Sequence, residues 1–402
     1  MDYARLIGKA EAIVATGMPG LYRVVAFIGI QRIYSLSDLG KTASAFSVAQ
    51  ILAFFTAIGW ASLILVRIPA VEDQTKRISC FYDLLGKGLG WLFLFCIGIG
   101  TWAGIFHPQA SISEIVMIMA GWTLYQLTRH YFLALRAYRK VIVYDLLLLV
   151  LTAVYVVVCH RLGAVAGLAL GAALATIGLF LLFDIGFPRS APKFPTFELK
   201  GLEFGFTNFL SGGVALSLVP IANFTDGPKF AGVMSLVASF SAISALIPRA
   251  ISMYRLPEIS TLVGRGESLA RLTAQTRREI MLATGGAFVI NTSIALAISL
   301  YADSSVGFWY ALACGIALCA QGCISMLGLA HSSVLMVREE SRLSLTINLI
   351  TCGLFVALLA LEYGMTKRLT FGFVLSVCAA VTIIRNAILT RRSAPFLAPL
   401  CR

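Results

Sequence analysis

Apolar residues in this chain arrive in long blocks, with polar residues gathered between them. Twelve such blocks follow one another, at 10–33, 42–66, 85–106, 113–135, 141–160, 163–185, 202–223, 229–249, 279–301, 307–330, 343–362 and 369–390. A helix of about 20 residues crosses a hydrocarbon core about 30 Å thick, so each block is long enough to span a bilayer. The pattern predicts an all-α integral membrane protein with about 12 transmembrane helices. An even number of spans puts both termini on one side.

The polar segments say which side. Of the 32 lysines and arginines, 23 fall in one set of loops and tails and 5 in the opposite loops, the remaining four lying inside spans. Positive charge collects on the cytoplasmic side of membrane proteins, so both termini are expected to be cytoplasmic. Composition agrees with the pattern: 59% of the 402 residues are hydrophobic and 13% are charged, where a soluble protein carries about 25%. The net charge of +13 is then an orientation signal, with attraction to anionic membrane lipids as a secondary effect, and it calls for no nucleic acid. Most of the nine cysteines lie inside the apolar blocks without metal-site spacing and read as small packing residues.

Two cytoplasmic segments stand out. FPRSAPKFPTFELK (187–200) has three prolines and separates six spans from six, giving two expected bundles, 1–190 and 191–402. That is the layout of transporters assembled from two related halves. The internal repeat is weak: FFTAIGWASLILVR (54–67) loosely echoes SFSAISALIPR (239–249). The connection 249–278 spaces Leu256, Ile259, Leu262 and Val263 at helical intervals among arginines, which fits either an interfacial helix or a solvated connector. The outward loops leave no room for an external catalytic domain.

Charges inside spans carry the functional reading, because a central charge costs about 2.5–3.5 kcal/mol on insertion scales. All 19 carboxylates are expected in loops, in tails or within a turn or two of a span end. The deep charges are positive: Arg23 in the first span, and Arg129 beside His130 in the fourth. Arg23 either bonds to backbone carbonyls freed by the Pro19-Gly20 break or faces a wet cavity and binds an anion. Phosphate or pyrophosphate would suit its guanidinium fork. Arg129 either joins that site or snorkels to the surface, and Arg385 is expected to snorkel. Arg67 and Arg249 close the second and eighth spans, as a receiving ring at a cytoplasmic mouth or simply as positive-inside residues. Asp184 and Glu203 lie near the inner mouth and keep ion coupling open. The seventh span, GLEFGFTNFLSGGVALSLVPIANF (201–224), is polar at Thr207, Asn208, Ser211 and Ser217 and loosened by Gly212, Gly213 and Pro220. Asn208 and Ser211 share a face and join the candidate binding set. Interrupted helices at matching places in the two halves, here the first and seventh, point to a transport path. Tyr22, Phe27, Tyr125, Phe204 and Phe206 face sugar rings or pack in the core.

Three stretches carry a resemblance. LSDLGKTASAFSVAQILAFFTAIGWASLILVRIPA (36–70) resembles the segment after the first helix of Wzx-type polysaccharide flippases, where a loop ending near a glycine leads into a helix closing on arginine. RHYFLALRAYRKVIVYDLL (129–147) is similar to their junction of spans four and five, and IPRAISMYRLPEIS (247–260) to the end of span eight. With the twelve-span layout the likeness covers nearly the whole chain and extends to the superfamily of multidrug, lipid-linked oligosaccharide and polysaccharide exporters. It implies a MATE-like fold of two six-helix bundles around a V-shaped cavity whose opening alternates, with Arg23 as a cavity cation. It also implies a bacterial inner-membrane flippase for an undecaprenyl-pyrophosphate-linked glycan of O-antigen or capsule, accompanied by a polysaccharide polymerase and a chain-length regulator.

The alternatives differ in their chemistry. A multidrug or cation antiporter of the same superfamily needs a carboxylate inside its bundle, and a peptidoglycan-precursor flippase usually has fourteen spans. A membrane glycan polymerase, ligase or transferase needs a large external loop or a polar catalytic cluster. His107, His130, His160 and His331 are scattered, there is no phosphate-binding glycine loop, and no metal or cofactor is expected.

Overall fold

In the computed structural model, the described residues are 3–69, 71–106, 112–188, 198–264, 266–301, 306–338 and 340–398. Most of the proline-rich linker, 189–197, and His107 lie outside them. The described chain is helical, with short turns and no strand. It falls into two compact units, Met1–Asn223 and Phe224–Arg402.

The first unit contains α1 (Tyr3–Ile33), α2 (Leu36–Ala53), a π-helical turn (Phe54–Ile58), α3 (Gly59–Arg67), α4 (Gln74–Phe106), α5 (Ile112–Ala134), α6 (Tyr138–Arg161), α7 (Ala166–Ile185) and most of α8 (Lys200–Asp226). The second contains α9 (Pro228–Ser244), α10 (Leu246–Gly264), α11 (Ala270–Leu300), α12 (Phe308–Met326), α13 (Leu329–Val337), α14 (Ser341–Thr366) and α15 (Phe371–Ser393), followed by a 3-10 turn (Ala394–Leu397). Each expected apolar block lies on helix.

Among the described residues nine helical stretches are long and apolar enough to cross a membrane, and α8 adds a tenth, bent by 63° between Lys200–Leu210 and Gly212–Asp226; α1 and α5, the expected first and fourth spans, are not among them. Several helices outrun their apolar blocks. The helix at α2 starts at Leu36 because Ser35 and Asp38 form a capping box: the Ser35 hydroxyl accepts from the Asp38 amide, and the Asp38 carboxylate accepts from the Ser35 amide. Apolar blocks mark membrane-depth residues, whereas capping decides where a helix begins.

Burial is inverted relative to a water-soluble protein. The span on α4 has only 11% of its apolar window buried, and Phe93, Leu94, Ile97 and Ile105 are exposed along it. On α6, Val143, Leu146, Val150 and Val154 are likewise exposed. Continuous apolar faces of this extent have lipid as their solvent. The core of the first unit is made where helices approach closely. A Cβ on Gly121 of α5 would lie 2.3 Å from the Gly171 carbonyl of α7, so only glycine lets these backbones meet.

The connection 249–278 is divided between the end of one helix and the start of another. Ile259 on α10 is buried with Leu269 and Leu272 at the start of α11 and Val334 on α13, and Leu262 and Val263 pack against them. The helical spacing read from the sequence is present, but it serves a packed apolar cluster within the second unit.

Candidate functional site

The two arginines expected inside spans meet opposite fates, and Pro19 explains part of the difference. Proline has no N–H to give the carbonyl four residues back, so within α1 the Ala15 carbonyl loses its helical donor. The Arg129 guanidinium, from α5, donates Nη2 to that carbonyl. Helix α1 therefore runs through Pro19 as one helix, and the expected break of the first span is filled by a neighbouring side chain.

Arg129 is also ion-paired. Its Nη2 lies 3.0 Å and its Nε 3.2 Å from Asp145 Oδ2 on α6, and Tyr125, one turn before it on α5, donates its hydroxyl to Asp145 Oδ1 at 2.6 Å. Arg129 is 3% exposed and Asp145 1%. This corrects one expectation. Asp145, near a helix end as expected, is a buried carboxylate that neutralises Arg129, and Arg129 does not snorkel. Its Nε and Nη2 are engaged and its charge is neutralised by Asp145.

Glu114, expected near a span end, is another buried carboxylate, 2% exposed. It accepts from the Thr42 hydroxyl and from the Gly167 amide in the first turn of α7, both at 2.9 Å. A carboxylate there is favoured by the helix dipole. A Cβ on Gly167 would come within 2.1 Å of its oxygen, so glycine makes room for it.

Arg23 has no such partner. It is half-buried on α1; its Nε is buried without a hydrogen bond, and it has no ion pair among the described residues. Its contact is the Phe27 ring, with Cζ 5.4 Å from the centroid. The carbonyl freed by Pro19 goes to Arg129, so plugging the break is a task another residue performs.

The remaining candidates are dispersed. Asn208 donates to the Phe204 carbonyl of its own helix at 2.9 Å, Thr207 to Glu203 at 3.0 Å and Ser217 to Val214 at 2.8 Å. The side chain of Ser211 lies outside the described residues, and the bend of α8 falls at its position. Tyr22, Phe27 and Tyr125 are core residues, whereas Phe204 and Phe206 are exposed on α8.

Arg67 forms a two-pronged pair with Glu198, which lies near the end of the linker and just before α8. One contact is Nη1 to Oε2 at 3.1 Å, and Nη2 meets Oε1. Lys87 of α4 reaches the same carboxylate at 2.9 Å and Asp83 at 2.8 Å. These bonds, Arg67's first, pull the Glu198 carboxyl down to about 2. Arg249 is exposed in the first turn of α10, in the other unit, and has no carboxylate partner among the described residues. Asp184 accepts from Lys140 at 2.6 Å and from the Tyr144 hydroxyl at 3.1 Å, while Glu203 is exposed on the first turn of α8. Arg385 donates to Asn348 Oδ1 at 2.8 Å, which corrects the expectation that it snorkels.

Sequence reasoning singles out Arg129 but misses its carboxylate. Asp145 is sixteen residues away across a turn, and no local pattern links the two. The missing proline N–H is the one available signal, because it announces an open carbonyl at Ala15.

No family model matches the chain, and no curated protein matches it. Solved structures do. The eukaryotic MATE transporter AtDTX14 is 17% identical over 97% of this chain and 96% of its own, with a TM-score of 0.59. A MOP superfamily transporter from Pyrococcus furiosus, described as having a binding pocket of reverse polarity, is 12% identical over 96% and 94%, with a TM-score of 0.60. The MATE multidrug transporter DinF-BH is 15% identical over 96% and 95%, with a TM-score of 0.55. At these identities the likeness establishes architecture: this is a multi-pass membrane protein with the fold of the MATE transporters.

Proposed function

We propose that this protein is a non-enzymatic flippase that carries an undecaprenyl-pyrophosphate-linked oligosaccharide from the cytoplasmic to the periplasmic leaflet of a bacterial inner membrane. In this reading both termini are cytoplasmic, twelve spans form two six-helix halves, and a polysaccharide polymerase and chain-length regulator act on the exported glycan. One observation supports the proposal: Arg23, expected inside the first span, has no ion pair among the described residues and a buried Nε without a hydrogen bond. An unpaired charge away from water costs several kcal/mol, and a pyrophosphate supplies both the missing charge and the acceptors for a two-pronged contact. The Pyrococcus furiosus transporter supports this reading in kind, since its reversed pocket polarity is taken to suggest a different function on the same fold.

Arg129 leaves the binding set in this reading, because Asp145 neutralises its charge and its Nε and Nη2 are bonded within the unit. The rival reading, a multidrug or cation antiporter, draws on a specific observation too: Asp145 and Glu114 are carboxylates buried in the first unit. Both are already satisfied, Asp145 by Arg129 and Tyr125, Glu114 by Thr42 and the Gly167 amide. A cation would have to displace those partners, whereas an anion at Arg23 displaces none.

The test is export in a strain whose surface glycan depends on this protein. Arg23→Ala is expected to abolish surface polysaccharide with the protein still in the membrane. Arg23→Lys is expected to restore it in part, since the charge returns without the fork. Normal export by Arg23→Ala ends the proposal. Sensitivity of deletion cells to cationic dyes with intact glycan would select the antiporter.

A further inference from the structure

The second unit holds its own set of unsatisfied polar groups, distant in sequence from Arg23. The Leu269 amide and the Ser268 hydroxyl both donate to the Leu397 carbonyl, at 3.0 and 3.1 Å, which ties the 3-10 turn after α15 to the start of α11. Beside this tie lies a cavity of about 350 Å³ bounded by α11, α13 and the end of α15. Much of its wall is apolar, from alanines together with Met281 and Leu397.

Four of its residues are polar and short of partners. Arg277 and Arg278, two turns into α11, are exposed and have no ion pair among the described residues. His331 on α13 is 5% exposed; its Nδ1 is 2.8 Å from the Ser393 hydroxyl, and its Nε2 is buried without a hydrogen bond. Thr273 is 3% exposed, and its hydroxyl is likewise buried and unpartnered. Buried polar groups are normally satisfied, and two orphans in the wall of one cavity, beside two guanidiniums without an ion pair among the described residues, suit a negatively charged hydrogen-bond acceptor. Along α11 the cavity ends at Met281, and Met281 and the next residue, Leu282, are both exposed apolar side chains.

We propose that this cavity binds the phosphodiester headgroup of an acidic phospholipid. Arg277 and Arg278 hold the phosphate oxygens, Thr273 and His331 supply further hydrogen bonds, and the acyl chains continue along the Met281–Leu282 face. Basic pockets between transmembrane helices bind anionic headgroups in this manner. The inference rests on the second unit alone and does not depend on the role of Arg23.

The experiment uses the full chain in a neutral detergent, titrated with phosphatidylglycerol or phosphatidylcholine and read by native mass spectrometry. The wild-type chain is expected to retain phosphatidylglycerol in preference to phosphatidylcholine. Changing both Arg277 and Arg278 to Gln should weaken phosphatidylglycerol about twenty-five-fold, at about fivefold per arginine, and leave phosphatidylcholine unchanged. Thr273→Val, which keeps the side-chain shape, should weaken it about fivefold. Arg271→Gln, exposed on the same helix but outside the cavity wall, should have no effect. Equal loss with Arg271→Gln would mean a diffuse basic surface and would overturn the site. So would an unchanged double variant, or displacement of the lipid by inorganic phosphate alone.

Discussion

Arg129 and Arg23 are guanidiniums of the same unit, yet one is built into the structure and the other is left open. Arg129 has a carboxylate at 3.0 Å, a tyrosine that fixes that carboxylate, and a backbone carbonyl that proline left vacant. Arg23 has an aromatic ring and an unbonded Nε. The difference separates two uses of buried charge. A charge whose partners are internal stabilises and positions helices, and its removal is felt in folding. A charge without internal partners lowers stability and persists only where something outside the chain completes it.

The largest effect is expected at Arg129. Arg129→Ala leaves Asp145 buried and unpaired and should cost about 3–5 kcal/mol, read as a fall in thermal midpoint of the detergent-purified protein. Adding Asp145→Asn should recover part of that loss. Arg23→Ala, removing a charge that no described residue offsets, should leave the midpoint unchanged or raise it while abolishing glycan export. If both substitutions destabilise alike, the two arginines do not differ as described.

A smaller effect is expected at Glu198, where the ion pairs are near the surface and can be titrated. Its carboxyl is pulled below the ordinary carboxylate value, to about 2. The stability this contributes is therefore complete above the unfolded carboxylate's pKa of about 4.5 and lost as pH falls toward 2. Glu198→Gln should lower stability at pH 7 by about 1–2 kcal/mol and flatten the acid limb of the stability profile. Smallest is Asp184→Asn: its pair with Lys140 is partly exposed, so about 1 kcal/mol or less is expected. Unaltered export by Asp184→Asn would remove this residue from ion coupling, and lost export would restore it.

How far these features are legible in the sequence varies with the range of the physics. The apolar blocks locate helices because burial in lipid is a local, additive property of about 20 residues. The bend of α8 is legible as Gly212-Gly213 and Pro220 inside an apolar run, and the helical spacing of Ile259, Leu262 and Val263 is real. Helix starts are missed where capping extends the helix beyond its apolar part, as at Ser35 and Asp38. The carboxylates are missed more seriously. Asp145 and Glu114 are near span ends in the chain but inward-facing in the unit, and sequence position does not specify which way a side chain points.

By itself the sequence determined that the chain crosses a membrane many times, that its deep arginines need an explanation, and that Pro19 must open a carbonyl in the first helix. Hydropathy and the chemistry of proline act within one segment and require no fold to be read. Only the tertiary structure decided which arginine takes that carbonyl, which carboxylate neutralises it, and which guanidinium is left over. Those outcomes depend on the direction of side chains on α1, α5 and α6 after packing, and pairing energy between charges falls off too steeply with distance to be settled before the helices are placed.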